Sequence, residues 1–123
     1  MVKYVTNMAD ATCVFCKIIK REIAAKIVME DDDVLAFEDV NPQAPVHIMI
    51  IPKRHIEKVS DLTAGDTALA GKLLITAKDI AKTLGIDPSG YRIVVNCNKD
   101  AGQAVFHMHL HMLGGRIFRW PPG

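Results

Sequence analysis

Three of the chain's five histidines stand at alternate positions in one short stretch, His107-Met108-His109-Leu110-His111. On an extended strand, alternate side chains share a face and lie roughly 6.6 Å apart along it. The three rings would then line one side, while Met108, Leu110 and Met112 pack into the core on the other. A helix would send His109 away from its neighbours. Three imidazoles on one face can bind a metal, sit inertly on a solvated surface, or work as a catalytic unit. An all-histidine metal site is disfavoured, because same-face positions on a flat strand diverge too far to reach one ion at about 2 Å. Strict alternation beside Gly102-Gln103 favours catalysis over inert placement. The chemistry that suits such a row is nucleophilic attack on phosphorus. A neutral imidazole is a competent nucleophile near pH 7 when its other nitrogen donates a hydrogen bond that fixes the tautomer. Asn96 ends one expected strand and Gly102-Gln103 enter the next, so both would hold phosphate oxygens if these strands pair.

Cys13-Val14-Phe15-Cys16 is a second constellation. The C-x-x-C spacing lets two thiolates share one zinc, which then needs two further ligands. A redox-active pair would call for a preceding strand and a βαβ context, and neither is visible. Two thiols without a role remain the third reading. Cys97 reads as a small core residue. Three cysteines are an odd count, which fits a reducing cytoplasm better than a disulfide scaffold.

Several elements must position these residues. Phe15, Ile18 and Ile19 recur at helical spacing, so residues 13–22 predict a short helix. Residues 26–29 and 34–38 predict a hairpin around the acidic turn Glu30-Asp31-Asp32-Asp33. Pro42 and Pro45 make residues 41–45 a loop, and residues 46–51 a buried strand that Pro52 ends. From 63 to 84 the period changes. Leu69, Leu73, Ala77, Ile80 and Leu84 line one helical face, with Thr63 and Asp66 at its start and Gly85 at its close. Residues 91–96 and 105–113 predict two more strands, the second stopped by Gly114-Gly115. Strands before and after one long helix give an α+β domain on an antiparallel sheet.

Length and charge narrow the function. At 123 residues the chain suits one domain, over residues 12–123, after a flexible leader at 1–11. Fifteen basic residues against fourteen acidic ones leave a net charge of +1, which argues against nucleic acid or an anionic membrane as partner. No secretory signal or transmembrane run is expected, and the localisation read from this is cytoplasmic.

His107 to Leu113 (HMHLHML) matches the alternating pattern of the histidine-triad superfamily, and the whole chain resembles its histidine-triad nucleotide-binding (Hint) branch. The resemblance runs from about Cys13 to Gly123 through FCKIIKREI, LAFEDVNPQAPVHIMIIPKRHI, YRIVVN and HMHLHMLGGRIFRWPPG. It implies a five-stranded antiparallel sheet with one long and one short helix, paired as a homodimer into a ten-stranded sheet. It also implies that His109 attacks the α-phosphorus of a purine nucleoside phosphoramidate or acyl-nucleotide. Water then releases the nucleoside monophosphate from the nucleotidyl-histidine. By the same resemblance His111 binds the phosphate, while His107 and His47 orient the nucleophile. Asp39 accepts the ribose hydroxyls, and Phe15, Ile18, Phe37 and Val40 wall the base. Asn96, Gly102, Gln103 and Ala104 lie along the phosphate, and Trp120 reaches the partner's site. Taken alone, each apolar wall residue reads as core and Asp39 as a turn carboxylate.

Two points qualify that resemblance. Many Hint proteins carry a serine near the leaving group where this chain has Ala104, so protonation of a departing amine must come from elsewhere. Some superfamily members carry a cysteine pair like this one, completed by the histidine after the Pro-Lys-x segment and by the first triad histidine. Here that set is Cys13, Cys16, His55 and His107, implying a structural zinc and catalysis that needs no cofactor. Two other functions stay open: hydrolysis of dinucleoside polyphosphates, and a purine-nucleotide-binding interaction protein with incidental turnover.

Overall fold

The computed structural model describes residues 11–123, and the leader expected over 1–11 lies, except for Ala11, outside them. Five strands, β1 (Ile27–Glu30), β2 (Val34–Glu38), β3 (Val46–Pro52), β4 (Tyr91–Val95) and β5 (Leu110–Gly114), form one antiparallel sheet in the order β1-β2-β3-β5-β4. Helix α1 (Val14–Ile19) precedes the sheet, and helix α2 (Thr67–Thr83) connects β3 to β4.

The period of two sorts the sheet's side chains into two cores. Val34, Ala36, Ile48, Ile50, Leu110 and Met112 face α2 and pack on Leu73, Ala77, Ile80 and Ala81. Leu35, Phe37, Met49 and Ile51 face the other way, onto Cys13, Phe15, Cys16 and Ile18 of the α1 region. β3 is covered on both faces, which is why it reads as a continuous apolar run. Each fully buried aliphatic side chain contributes about 1.5–3 kcal/mol.

α1 is shorter than the stretch expected over 13–22. Cys13 caps it by accepting the Cys16 amide at 3.3 Å, and Arg21, at φ 65°, turns the chain out of the helix. The acidic turn between β1 and β2 forms as expected. Asp31 accepts the amides of Asp33 and Val34 at 2.8 and 2.9 Å, and Lys72 of α2 reaches Asp31 and Asp33 at 2.9 and 3.0 Å.

α2 starts later than expected, after a 3-10 turn over Ala64–Asp66 in which the Asp66 carboxylate accepts the Thr63 amide at 2.9 Å. It ends as expected at Gly85, at φ 75°, whose amide reaches Lys82 O at 3.1 Å while that of Ile86 reaches Ala81 O at 3.0 Å. Leu84 is exposed rather than part of the apolar face, because the closing turn hands the buried position to Ile86.

The largest departure is at the last strand, which pairs only from Leu110 and not from residue 105. The preceding backbone bonds elsewhere: the Met108 amide donates to Ile56 O at 2.7 Å, and Gln103 Nε2 donates to Val105 O at 3.1 Å. Alternation survives without the ladder, since Met108, Leu110 and Met112 all enter the α2-side core. Among the described residues no helix is long and apolar enough to cross a membrane.

Candidate active site

The three triad histidines lie on the face opposite α2, as alternation predicts. Phe15 of α1 meets the rings of His107 and His109 edge-on, at 5.9 and 5.1 Å between centroids, and the His109 and His111 rings are 4.9 Å apart. His47 enters from β3, opposite Leu113 of β5.

Hydrogen bonds decide which nitrogen of each ring carries the proton. His109 Nδ1 lies 2.8 Å from the His107 carbonyl oxygen, which only accepts, so Nδ1 is the N–H. Nε2 of the neutral ring then keeps the lone pair. The Gln43 amide donates to His47 Nδ1 at 3.0 Å, leaving the His47 proton on Nε2. That Nε2 donates to His111 Nδ1 at 2.9 Å, so the neutral His111 ring holds its proton on Nε2 and presents a donor.

All three rings stay neutral near pH 7. Burial pushes His47 below the usual imidazole range, partly offset by the Asp39 carboxylate 3.4 Å away. Burial also lowers His109, against the opposing His107 carbonyl and Asp39. His111 is pushed down to about 4 by burial and then by its neighbours His109 and His47, again against Asp39.

His109 and His111 open onto a cleft of about 460 Å³. Phe15, Ile18 and Phe37 line it with Asp39 and Val40, although Val40 is 94% exposed and is a rim residue rather than a wall. Asn96, Gly102 and Ala104 line the opposite side. Asp39 holds an Asx turn by accepting the Asn41 amide at 2.9 Å on Oδ1.

Two expected residues are not in this lining. Gln103 is buried and braces the loop instead. Its Oε1 accepts the Asn98 amide at 2.8 Å, and its Nε2 donates to Glu57 O at 2.8 Å. Trp120 is 82% exposed and lines no part of its own chain's cleft. The cleft also includes Ile23, Ala24, Ala25 and Met49, which the sequence reading missed. Met49 was legible as the β3 residue on the face of His47; the 23–25 segment carried no signal beyond small apolar residues.

The second constellation closes beside the first. Ligand atoms of Cys13, Cys16, His55 and His107 all lie within 4.8 Å of one another. His107 Nδ1 is 3.4 Å from Cys13 Sγ, 3.5 Å from Cys16 Sγ and 3.2 Å from His55 Nδ1, and Cys16 Sγ to His55 Nδ1 is 3.3 Å. A tetrahedral zinc with bonds of about 2.0–2.3 Å spaces its ligand atoms about 3.3–3.8 Å apart. The donor set therefore fits such an ion. His107 Nε2 donates to Pro52 O at 2.7 Å, which leaves Nδ1 with the lone pair a metal needs. Asp39, His47 and His111 form another close group, but Gln43 commits the His47 Nε2 to its proton, which opposes metal ligation there.

Comparison with known proteins agrees with the fold. The family model of the HIT domain matches residues 20–117. An uncharacterised HIT-like protein of Synechocystis is 56% identical over 116 residues, spanning 94% of this chain and all of that protein. The crystal structure of a HIT family hydrolase from Legionella pneumophila superposes with a TM-score of 0.90 at 50% identity, covering 91% of this chain and all of that one. A histidine triad nucleotide-binding protein from Candida albicans gives 0.77 at 33% identity, over 89% of this chain and 83% of that one. The chain belongs to the HIT family.

Proposed function

We propose that this chain is a nucleotidyl hydrolase of the Hint branch that acts on purine nucleoside phosphoramidates or acyl-nucleotides through His109. The observation that carries the reading is the 2.8 Å bond from His109 Nδ1 to the His107 carbonyl, which reserves Nε2 of a cleft-lining neutral ring for attack. In the first step the Nε2–P bond forms as the bond from phosphorus to the leaving group breaks, and the bonding pair departs with that group. A departing amine takes its proton from water, since Ala104 offers no hydroxyl. Water then attacks phosphorus, the N–P bond breaks, and the nucleoside monophosphate leaves. His111 Nε2–H donates to a phosphate oxygen throughout, aligned by His47 and the Gln43 amide. Asp39 binds the ribose, and Phe15, Ile18 and Phe37 enclose the base.

Cys13, Cys16, His55 and His107 would hold a structural zinc. Four protein ligands leave no open position, so the ion would tie α1 to the sheet and fix the His107 ring. The working form is a homodimer whose sheets join into ten strands, with Trp120 serving the partner's cleft and a cytoplasmic location.

The test is a single-turnover reaction with α-³²P-labelled adenosine 5′-phosphoramidate, quenched in alkali. Label bound to wild-type protein, released by acid and absent from His109→Ala, is the expected result. Turnover without label at any quench time overturns the covalent step, and no turnover overturns the activity.

A further inference from the structure

We propose that Glu38 reads the base edge and makes this chain selective for guanine nucleotides over adenine nucleotides. This rests on the nucleotidyl-transfer reading above and names which of the two purines that reading leaves open.

Glu38 closes β2, between Phe37 of the proposed base wall and Asp39 at the ribose. Its backbone is held from both sides: the amide donates to Lys26 O at 3.0 Å, and the residue pairs with Ile48 of β3. Glu38 lines the cleft of about 460 Å³ and also an adjoining cavity of about 560 Å³, with which the cleft shares Ala24, Ala25, Asp39 and Val40. It stands at the junction of the two. A base seated against Phe15, Ile18 and Phe37 has apolar faces that suit those walls, but its hydrogen-bonding edge must find polar partners where the walls end.

Five polar side chains line the cleft: Glu38, Asp39, Asn96, His109 and His111. Four of them have a part in the reading above. His109 attacks, His111 donates to the phosphate, Asn96 lies across the cleft with Gly102, and Asp39 meets the ribose. Asp39 is further engaged, with Oδ1 accepting the Asn41 amide at 2.9 Å and Oδ2 3.4 Å from His47 Nε2. Glu38 alone is unassigned. Among the described residues its carboxylate makes no ion pair and accepts no hydrogen bond, and Lys26, which lines the adjoining cavity, does not pair with it. The facing segment of Ile23, Ala24 and Ala25 brings no polar side chain. A base edge left unpaired there would be costly, and Glu38 is the side chain available to meet it.

A carboxylate offers two acceptor oxygens and no donor. Guanine presents two adjacent donors, N1–H and an N–H of its 2-amino group, which match the two oxygens as a fork. Adenine presents an N–H of its 6-amino group beside the lone pair of N1. Against Glu38 it makes one bond and sets the second oxygen against that lone pair. Hypoxanthine keeps N1–H, lacks the 2-amino group, and falls between the two. Glu38 is exposed, so its carboxylate stays hydrated until the base arrives and burdens the empty cleft with no buried charge.

Titration calorimetry with the full chain would compare GMP, IMP and AMP. Wild type should bind GMP about tenfold more tightly than AMP, with IMP between them. Glu38→Ala, at an exposed position, should bring the ratio of GMP to AMP affinity within about twofold. Glu38→Gln should favour AMP instead, because its amide oxygen accepts from the 6-amino group while its amide nitrogen donates to N1. A merely structural role for Glu38 would produce no such reversal. Equal affinities in wild type, or tighter AMP, overturn the assignment and leave the nucleotide reading standing. A GMP preference that survives in Glu38→Ala gives the base edge to other groups and overturns it as well. Failure of all three nucleotides to bind removes both readings. In turnover by wild type, guanosine and adenosine 5′-phosphoramidates should differ about tenfold in KM and little in kcat, since the base contact is the same in ground and transition states. A difference confined to kcat overturns base recognition at Glu38.

Discussion

The cysteine–histidine cluster and the cleft that His109 and His111 line are built from the same alternating row, yet the row's members face different chemistry. His107 is wholly buried, with Nε2 held by the Pro52 carbonyl and Nδ1 among two sulfurs and a third ring. His109, two residues on, has one nitrogen held by a carbonyl and the other committed to nothing but the cleft it lines. Imidazole chemistry here is set by what occupies the second nitrogen. A ring tied at both ends suits a structural post; a ring tied at one end keeps a lone pair for the nucleophilic role proposed above.

The largest effect should come from the free ring. His109→Ala should lower kcat by at least about 10³-fold in a phosphoramidate assay. AMP affinity and melting temperature should stay near wild type, because no metal ligand is lost. A comparable loss of melting temperature would erase the contrast between the two regions. Cys16→Ser should do the reverse. Metal analysis should find stoichiometric zinc in wild type and little in the variant, with a stability loss of about 3 kcal/mol or more by denaturant unfolding. Turnover per folded molecule should change far less than in His109→Ala.

Ala104→Ser should raise turnover on amine leaving groups by about tenfold or more, and leave phosphate leaving groups unaffected. Equal gains on both would assign the effect to packing. The smallest effect is in pH. His47 and His111 have folded-state values below the ordinary imidazole range, so each contributes stability that is present above about pH 6.5. It is lost as pH falls toward about 4, because the unfolded chain takes up protons that the folded cleft refuses. Denaturant midpoints should therefore decline over that window, and less steeply in His111→Asn.

Much of this arrangement was legible in the residues. Alternation alone placed His107, His109 and His111 on one face and Met108, Leu110 and Met112 on the other, because the period of a strand survives even where its ladder does not form. The C-x-x-C spacing identified the thiols, but their partners came from His55 and His107, 39 and 94 residues from Cys16 and Cys13, which only the fold brings together. Gln103 was misplaced for a different reason. Beside a histidine row its amide suits a phosphate, yet the strained loop at Asn98, φ 67°, uses it as an internal brace. The Gln43 amide that orients His47 had no signature, since a backbone donor is invisible in the sequence.

α1 spans only six residues, below the length at which a helix persists unaided, and it presents the Cys16 thiol to one neighbourhood and the Phe15 ring and Ile18 side chain to the other. If the sulfur pair holds zinc and the cleft a purine, as proposed, their occupancies would form a single linked equilibrium. Stripping one would then loosen the other by the same factor in both directions, through a six-residue helix that touches both sites.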